Sequence, residues 1–310
     1  MKQLASMAFV LPLLAGAACA AQLAPAQPGA DESDAGDAAD GAVAGADAAG
    51  GDAGVSGCHA RPMEWSTPRA LTELGPDTYV HPFVRADGTK LLIETGDAGS
   101  RSVWVATRDI EAGATTFGAA VPIQLPVRGA GPFLFPASAR DNEYFVSRNR
   151  EVWRELTFSG GNASSLVAAP SSDAGILTAP TISADGTVLI FLSRENGARL
   201  RQLEADTSGP FGAKREVFVI NATLWDDYAF AVSPDALTLF FTGRNNEIYY
   251  VTRPSKDTAF GSGVAPTRVP SLEAAGFHTF VRSVTADGCE IYLSSNRDGL
   301  VSRAYVATRL

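Results

Sequence analysis

Four arginines recur at nearly even spacing, Arg148, Arg194, Arg244 and Arg297, each shortly after an apolar run. Gathered around one opening, their planar guanidinium forks could hold a carboxylate or a phosphate. They could equally hydrogen-bond loop carbonyls and do nothing more. Three further groups of residues could share that opening: Asp77, Tyr79 and His81; Trp225, Asp226, Asp227 and Tyr228; and Phe277 with His278. Aromatic rings beside carboxylates suit a sugar or peptide platform, or anchor loops. Catalytic readings are thinner. Glycoside hydrolysis needs a carboxylic acid and a carboxylate flanking the scissile bond, for which Asp77, Asp226 and Asp227 are the candidates. A serine triad has no G-x-S-x-G stretch and only His81 and His278 as bases well inside the body. Three His and three Cys show no zinc-ligand spacing, and no cofactor or metal is expected.

The elements that would position these residues are legible as repeats. VRSVTADGCEIYLSSNRDG (281–299) reads as a strand, a tight Ala-Asp-Gly turn, an apolar second strand and a polar turn. PTISADGTVLIFLSRENG (180–197), FAVSPDALTLFFTGRNN (230–246) and HPFVRADGTKLLIETG (81–96) repeat that order. Asp87, Asp185, Asp235 and Asp287 match, with gaps of 98, 50 and 52 residues. The first gap is two periods, so PFLFPASARDNEYFVSRN (132–149) supplies a further unit with Asp141-Asn142 at its turn. The four aspartates are expected to serve their turns by accepting hydrogen bonds from nearby backbone N–H groups.

Each unit carries a third strand, in order SVWVATR, EVWREL, ARLRQL, EIYYVTR and RAYVATR. A fourth follows in all but the last unit: AVPIQL (120–125), SLVAA (165–169), REVFVI (215–220) and TRVPSL (267–272). PRALTEL (68–74) is left over at the other end, placed to complete the last unit and close a ring. The expected fold is all-β: a five-bladed β-propeller of four-stranded antiparallel blades, closed by an N-terminal strand. A sixth blade stays open as the alternative.

The motifs Ser183-Ala184-Asp185-Gly186, Ser233-Pro234-Asp235 and Thr285-Ala286-Asp287-Gly288 are followed by Ser-x-Arg-like tails at Ser193-Arg194 and Ser294-Ser295-Asn296-Arg297. With Ser147-Arg148, they resemble the WD40-like, TolB-type β-propeller repeats over about residues 65–310. The second unit departs at its turn, and the first lacks the Ser-x-Arg tail. The resemblance implies a propeller and leaves function open, because propellers serve as binding modules and as enzymes.

The 310 residues carry a net charge of −9, unevenly spread. Seven acids and no Lys or Arg fall in residues 21–57, and the rest of the chain is close to neutral. A body without a basic stripe excludes nucleic acid as the expected partner. Lys2 and the apolar run Leu4 to Ala15 read as an export signal over residues 1–20. Ala18-Cys19-Ala20 fits ordinary cleavage, while Cys19 also resembles the lipidated cysteine of bacterial lipoproteins. The Ala/Gly/Asp segment 21–57 cannot bury enough surface to fold and reads as a disordered tether with a reach of roughly 35 Å. The propeller domain then spans 58–310 of an exported protein, periplasmic or on the outer membrane, touching membrane only through a lipid at Cys19. Cys58 and Cys289 remain as an even pair: a bridge tying the ends of the domain together, or two separate thiols.

The function expected is non-catalytic binding by a monomer in the cell envelope, with a protein, peptide or glycan as ligand. Tyr79, His81, Arg148, Arg194, Asp226, Asp227, Tyr228, Arg244, His278 and Arg297 are the candidate contacts. A glycoside-hydrolase-like propeller is the alternative.

Overall fold

The computed structural model describes residues 58, 62–75, 79–95, 101–123, 136–148, 150–158, 161–168, 177–193, 199–204, 215–216, 229–243, 245–299 and 301–310. The chain divides into two units, Met1–Gly50 and Gly51–Leu310, and all described residues belong to the second. The export signal with Cys19, the tether 21–57, Asp77, Arg194, residues 225–228 and Arg244 lie outside the described residues.

The described part is all-β and propeller-like. A short strand, β1 (Arg69–Ala70), precedes the first sheet, whose strands β2 (Val80–Val84), β3 (Lys90–Thr95), β4 (Ser102–Thr107) and β5 (Val121–Pro122) pair in chain order. A three-stranded sheet follows, of β6 (Glu143–Arg148), β7 (Glu151–Phe158) and β8 (Gly161–Ala168). Next come β9 (Leu177–Ile182), β10 (Val188–Ser193), β11 (Arg199–Glu204) and β12 (Arg215–Glu216). The fourth sheet holds β13 (Phe230–Val232), β14 (Thr238–Thr242), β15 (Ile248–Thr252) and β16 (Thr267–Arg268). The last holds β17 (Thr279–Val284), β18 (Glu290–Ser295), β19 (Arg303–Thr308) and, antiparallel to β19, β1 from the far end of the chain.

Two expectations need correction. Four sheets have four strands, but among the described residues the second unit has three. Of its first strand the described residues show a bridge, Ala137 with Phe145, whose two N–H···O bonds are 2.9 and 2.8 Å. The unit's Asp141-Asn142 turn keeps the left-handed residue of the other turns, Asn142 at φ 60° beside Gly88 at 71° and Ala236 at 59°. Nor is 68–74 one strand. Only Arg69 and Ala70 pair in register, opposite Val306 and Tyr305, and Thr72–Leu74 turn into a 3-10 helix.

The sheets pack side by side in chain order. β17 lies against β13 and β2, and β9 against β13 and β6. Four apolar clusters fill the gaps: one joins the first, second and third sheets through Phe83, Phe145 and Phe191, and another joins the first and last through Leu91, Ile93 and Tyr292. A second strand covered on both faces should be apolar throughout, and β10 (VLIFLS) is buried at all six positions. Each large side chain so enclosed contributes roughly 1.5–3 kcal/mol.

Closure of the last sheet runs well past the two paired residues. Trp65 bridges Arg309, Ser66 N–H donates to Thr308 O at 2.8 Å, Leu71 N–H to Ala304 O at 3.0 Å, and Leu310 N–H to Glu64 O at 2.9 Å. Cys58 and Cys289 form a disulfide, Cα–Cα 5.0 Å, across the same seam.

Candidate functional site

The aspartate turns are structural. Asp87, Asp185, Asp235 and Asp287 each accept, through Oδ1, the backbone N–H two residues on, at 3.0, 3.0, 2.9 and 2.9 Å. In three of them a hydroxyl completes the turn. Ser183, Ser233 and Thr285 donate to the aspartate at 2.5, 2.5 and 2.6 Å, while accepting the N–H of Val188, Thr238 and Glu290. Neighbouring turns are then clasped to each other. Ala286 N–H donates to Ala86 O at 3.0 Å, Ala184 N–H to Pro234 O at 2.8 Å, and Arg140 to Asp185 O at 3.2 Å. Arg85 and Lys90 of the first sheet both grip Asp141 of the second. The ring of turns is a structural girdle.

Chemistry of another kind gathers where the first strands converge. A cavity of about 10 Å³ near the turns is lined by Val84, Ser138, Ile182, Val232 and Val284, among others. At the opposite end a cavity of about 20 Å³ is lined by His81, Pro82, Phe83, Pro136, Ala179, Pro180, Phe230 and Arg282. Each has room for a water or two.

The strands bend to aim side chains at the second cavity. Pairing slips between Val80 and Phe83 in β2, opposite Ala179-Pro180 in β9, and between Val281 and Ser283 in β17. Bulges of this kind turn a residue out of the regular alternation. His81 and Ala179 take φ of 53° and 50°, left-handed values that cost a non-glycine residue about 1 kcal/mol or more. The β2 backbone freed by its bulge is held by the last sheet, where Ser294 Oγ accepts from His81 N–H and Ser283 Oγ from Val84 N–H, both at 2.8 Å.

Four ionisable groups meet here. His81 Nδ1 lies 3.0 Å from Glu94 Oε2, and Arg101 donates to Glu94 Oε1 at 2.8 Å. Glu94 has no exposed surface, and His81 and Arg282 are each 8% exposed. Burial pushes the Glu94 carboxyl upward, but the bonds and charges of His81 and Arg101 outweigh it and hold the group below its ordinary range. An ionised carboxylate only accepts, so the proton between them sits on Nδ1. Burial, followed by the Arg282 charge, lowers His81 to about 4 against the pull of Glu94. Burial also draws Arg282 down to about 9, still charged at neutral pH, with Glu94 pulling the other way.

The other candidates are spread around this centre. His278 is exposed, with Nδ1 2.8 Å from Asn246 Oδ1 and its ring stacked on Phe280 at 6.0 Å. Arg297 donates to Leu272 O at 2.8 Å and lies over the Tyr305 ring, so it holds a loop carbonyl. Tyr79 is buried edge-on against Trp104 and lines a separate cavity of about 430 Å³ with Leu71, Thr72 and Arg303. Arg148 closes β6 opposite Glu151; its side chain, and Arg194, Asp226, Asp227, Tyr228 and Arg244, lie outside the described residues.

Sequence reasoning missed Glu94, Arg101 and Arg282. Two carried a signal: Glu94 in LLIET and Arg282 in TFVRSV are charges inside strands that are otherwise apolar.

No protein-family model matches the chain, and no curated protein matches it. Solved structures do. The α-L-arabinofuranosidase PaAbf62A from Podospora anserina, in complex with cellotriose, is similar at 14% identity and a TM-score of 0.52, over 79% of this chain and 96% of that one. TolB from Acinetobacter baumannii is similar at 12% identity and a TM-score of 0.43, over 75% of this chain and 54% of that one. This chain thus spans about half the length of TolB. The periplasmic gluconolactonase PpgL from Pseudomonas aeruginosa matches at 19% identity and a TM-score of 0.36, over 65% and 58%. At these identities the likeness concerns the fold alone.

Proposed function

We propose that the chain is an exported, lipid-tethered five-bladed β-propeller that binds a protein, peptide or glycan at the mouth of its axis and does no chemistry on it. Five blades are supported by the axial cavities, each lined by residues of all five repeat units. Export and tethering rest on Lys2, the apolar run after it, and Cys19.

The observation that carries the binding reading is the state of Glu94. Among the described residues it is the carboxylate at the axial cluster, and two cationic or hydrogen-bonding neighbours hold it ionised. Both of its oxygens are taken by protein groups, so it serves the cluster rather than a reacting ligand. Around it the cavity is lined by His81, Arg282 and apolar side chains, a lining suited to recognition.

The test is capture of envelope components by the full chain and by a variant with Arg148→Glu and Arg244→Glu, two arginines that the repeat spacing assigns to the mouth face. Capture should be lost in the variant, and unchanged capture overturns this docking face. Cys19→Ala should move the protein out of the membrane fraction.

The hydrolase alternative draws on the fold likeness to the arabinofuranosidase. It requires two carboxyl groups roughly 5–10 Å apart across the mouth. Turnover of an aryl arabinofuranoside, abolished by Asp226→Asn or Asp227→Asn, would replace the binding reading.

A further inference from the structure

The cavity of about 430 Å³ at the seam is lined by Leu71, Thr72, Gly75, Tyr79, Arg303 and Ala304, among others. Its size falls within the roughly 300–1,000 Å³ of small-ligand sites. It forms where β1 leaves β19 early. Only Arg69 and Ala70 pair in register, the chain then turns into the 3-10 helix Thr72–Leu74, and β19 runs on to Arg303. Thr72 and Arg303 are exposed, so the cavity has a rim in solvent.

The early departure leaves a ladder group without its partner. Alternate residues of β19 face its two neighbours: Arg309 N–H donates to Cys289 O on the β18 side, and Thr308 O accepts from Ser66 N–H on the other. Ala304, four residues back from Thr308, faces the β1 side, and its carbonyl takes the Leu71 N–H at 3.0 Å. The reciprocal bond is not made. Leu71 O accepts instead from Leu74 N–H at 3.3 Å, and Ala304 N–H donates to none of the described residues. Ala304 is 4% exposed, and a buried N–H without an acceptor is rare.

Two further donors line the same cavity. Neither Arg303 nor the Thr72 hydroxyl makes a side-chain hydrogen bond or ion pair with any described residue, whereas Arg69, Arg108 and Arg268 are each spent on a carboxylate. Of the acids on the adjoining segments, Glu73 is held by Arg69 and Asp298 accepts the Tyr305 hydroxyl. A guanidinium, an N–H and a hydroxyl beside Leu71 and the Tyr79 ring call for an anion with apolar and hydroxyl surface. An added peptide strand fits less well, because its own N–H would meet an Ala304 carbonyl that Leu71 already occupies. A pyranose brings no such demand, and its hydroxyls face Thr72 and solvent.

We propose that this cavity binds an acidic sugar, its carboxylate received by Arg303 and the Ala304 N–H. The site is separate from the axial mouth and stands or falls apart from the docking face above.

Titration of the full chain with glucuronate, glucose and N-acetylglutamate amide, followed by calorimetry and by amide NMR, tests it. Glucuronate should bind saturably and shift the Ala304 amide signal. Glucose, the same ring without the charge, should bind about tenfold or more weaker, the size of one charge-assisted hydrogen bond. Arg303→Gln should close that gap, with a thermal melt to check that the variant is folded. The comparison of the two sugars on the unsubstituted protein decides the matter whatever the variant does. Equal binding of both sugars, no binding of either at millimolar concentration, or an unmoved Ala304 signal overturns the proposal. Preference for N-acetylglutamate amide overturns the sugar and assigns the carboxylate to an acidic peptide. Silent sugars beside loss of envelope capture in the mouth-face variant would remove this site and leave the docking face standing.

Discussion

Replacing both Cys58 and Cys289 by serine should open the seam of the ring, and the structure sets the size of the effect. The bond spans 231 residues. In the chain-entropy account a loop of that length restricts the unfolded chain by about 5.5 kcal/mol, an upper figure; removal of native disulfides costs about 2–5 kcal/mol. The other ties across the seam do not duplicate it. The pairing of Arg69 and Ala70 with β19, the Trp65–Arg309 bridge and the Leu310–Glu64 bond exist only in the folded state, while the disulfide also constrains the unfolded one. Urea unfolding followed by tryptophan fluorescence is the assay. Trp65 sits at the seam, 2% exposed and edge-on to Phe240, and reports the region directly. With a urea dependence of about 3 kcal/mol per molar, the midpoint should fall by roughly 1–2 M. Reduction of the unsubstituted protein should reproduce the shift. A midpoint that does not move in either experiment refutes the idea that covalent closure of the ring contributes to stability.

Acid should weaken the fold through His81. Its folded value of about 4 lies below the ordinary 6.5, so between those values the unfolded chain takes up a proton that the folded chain refuses. Stability therefore falls as pH drops from 6.5 to 4, by about 3 kcal/mol, with Glu94 adding a loss of the same sign at lower pH. Urea midpoints at pH 7 and pH 4 should differ, and less so in His81→Gln; equal differences in both proteins would clear His81 of the effect. Arg108 grips Glu290 with two bonds, 2.9 and 2.6 Å, across the first and last sheets while lying over Phe117. Arg108→Met should cost about 2 kcal/mol by leaving that half-buried carboxylate without its partner, and a melting temperature equal to wild type would count against the clasp. Ser233→Ala removes both the donor to Asp235 and the acceptor for Thr238 N–H, an expected loss of about 1–2 kcal/mol in the same melt.

What the sequence made legible was whatever repeats. Asp87, Asp185, Asp235 and Asp287 recur because each turn needs the same side-chain acceptor, so their spacing located the sheets and their bonding matched the turn role. The cysteine pairing was legible too, because exclusion of Cys19 left two. The second unit is the one whose first strand appears, among the described residues, only as the Ala137–Phe145 bridge. The axial cluster was illegible for a related reason. Glu94, Arg101 and Arg282 occur once each, 181 residues separate Arg101 from Arg282, and only closure of the ring brings them near His81. A periodic pattern reveals what all repeats share; a site built from the differences between repeats leaves no period to find. Arg297 shows the converse: recurrence drew attention to it, and its guanidinium holds the Leu272 carbonyl.

The seam also sets a clock. The backbone of residues 65–71 crosses the seam to pair with residues 304–309, so a strand made early is among the last to be paired. At ribosomal speeds of about 5–20 residues per second, roughly 10–50 s separate the synthesis of the two edges. Throughout that interval the nascent chain carries an unmatched strand edge. The export proposed above would remove that wait, because a chain that folds after delivery has both edges and both cysteines present from the start.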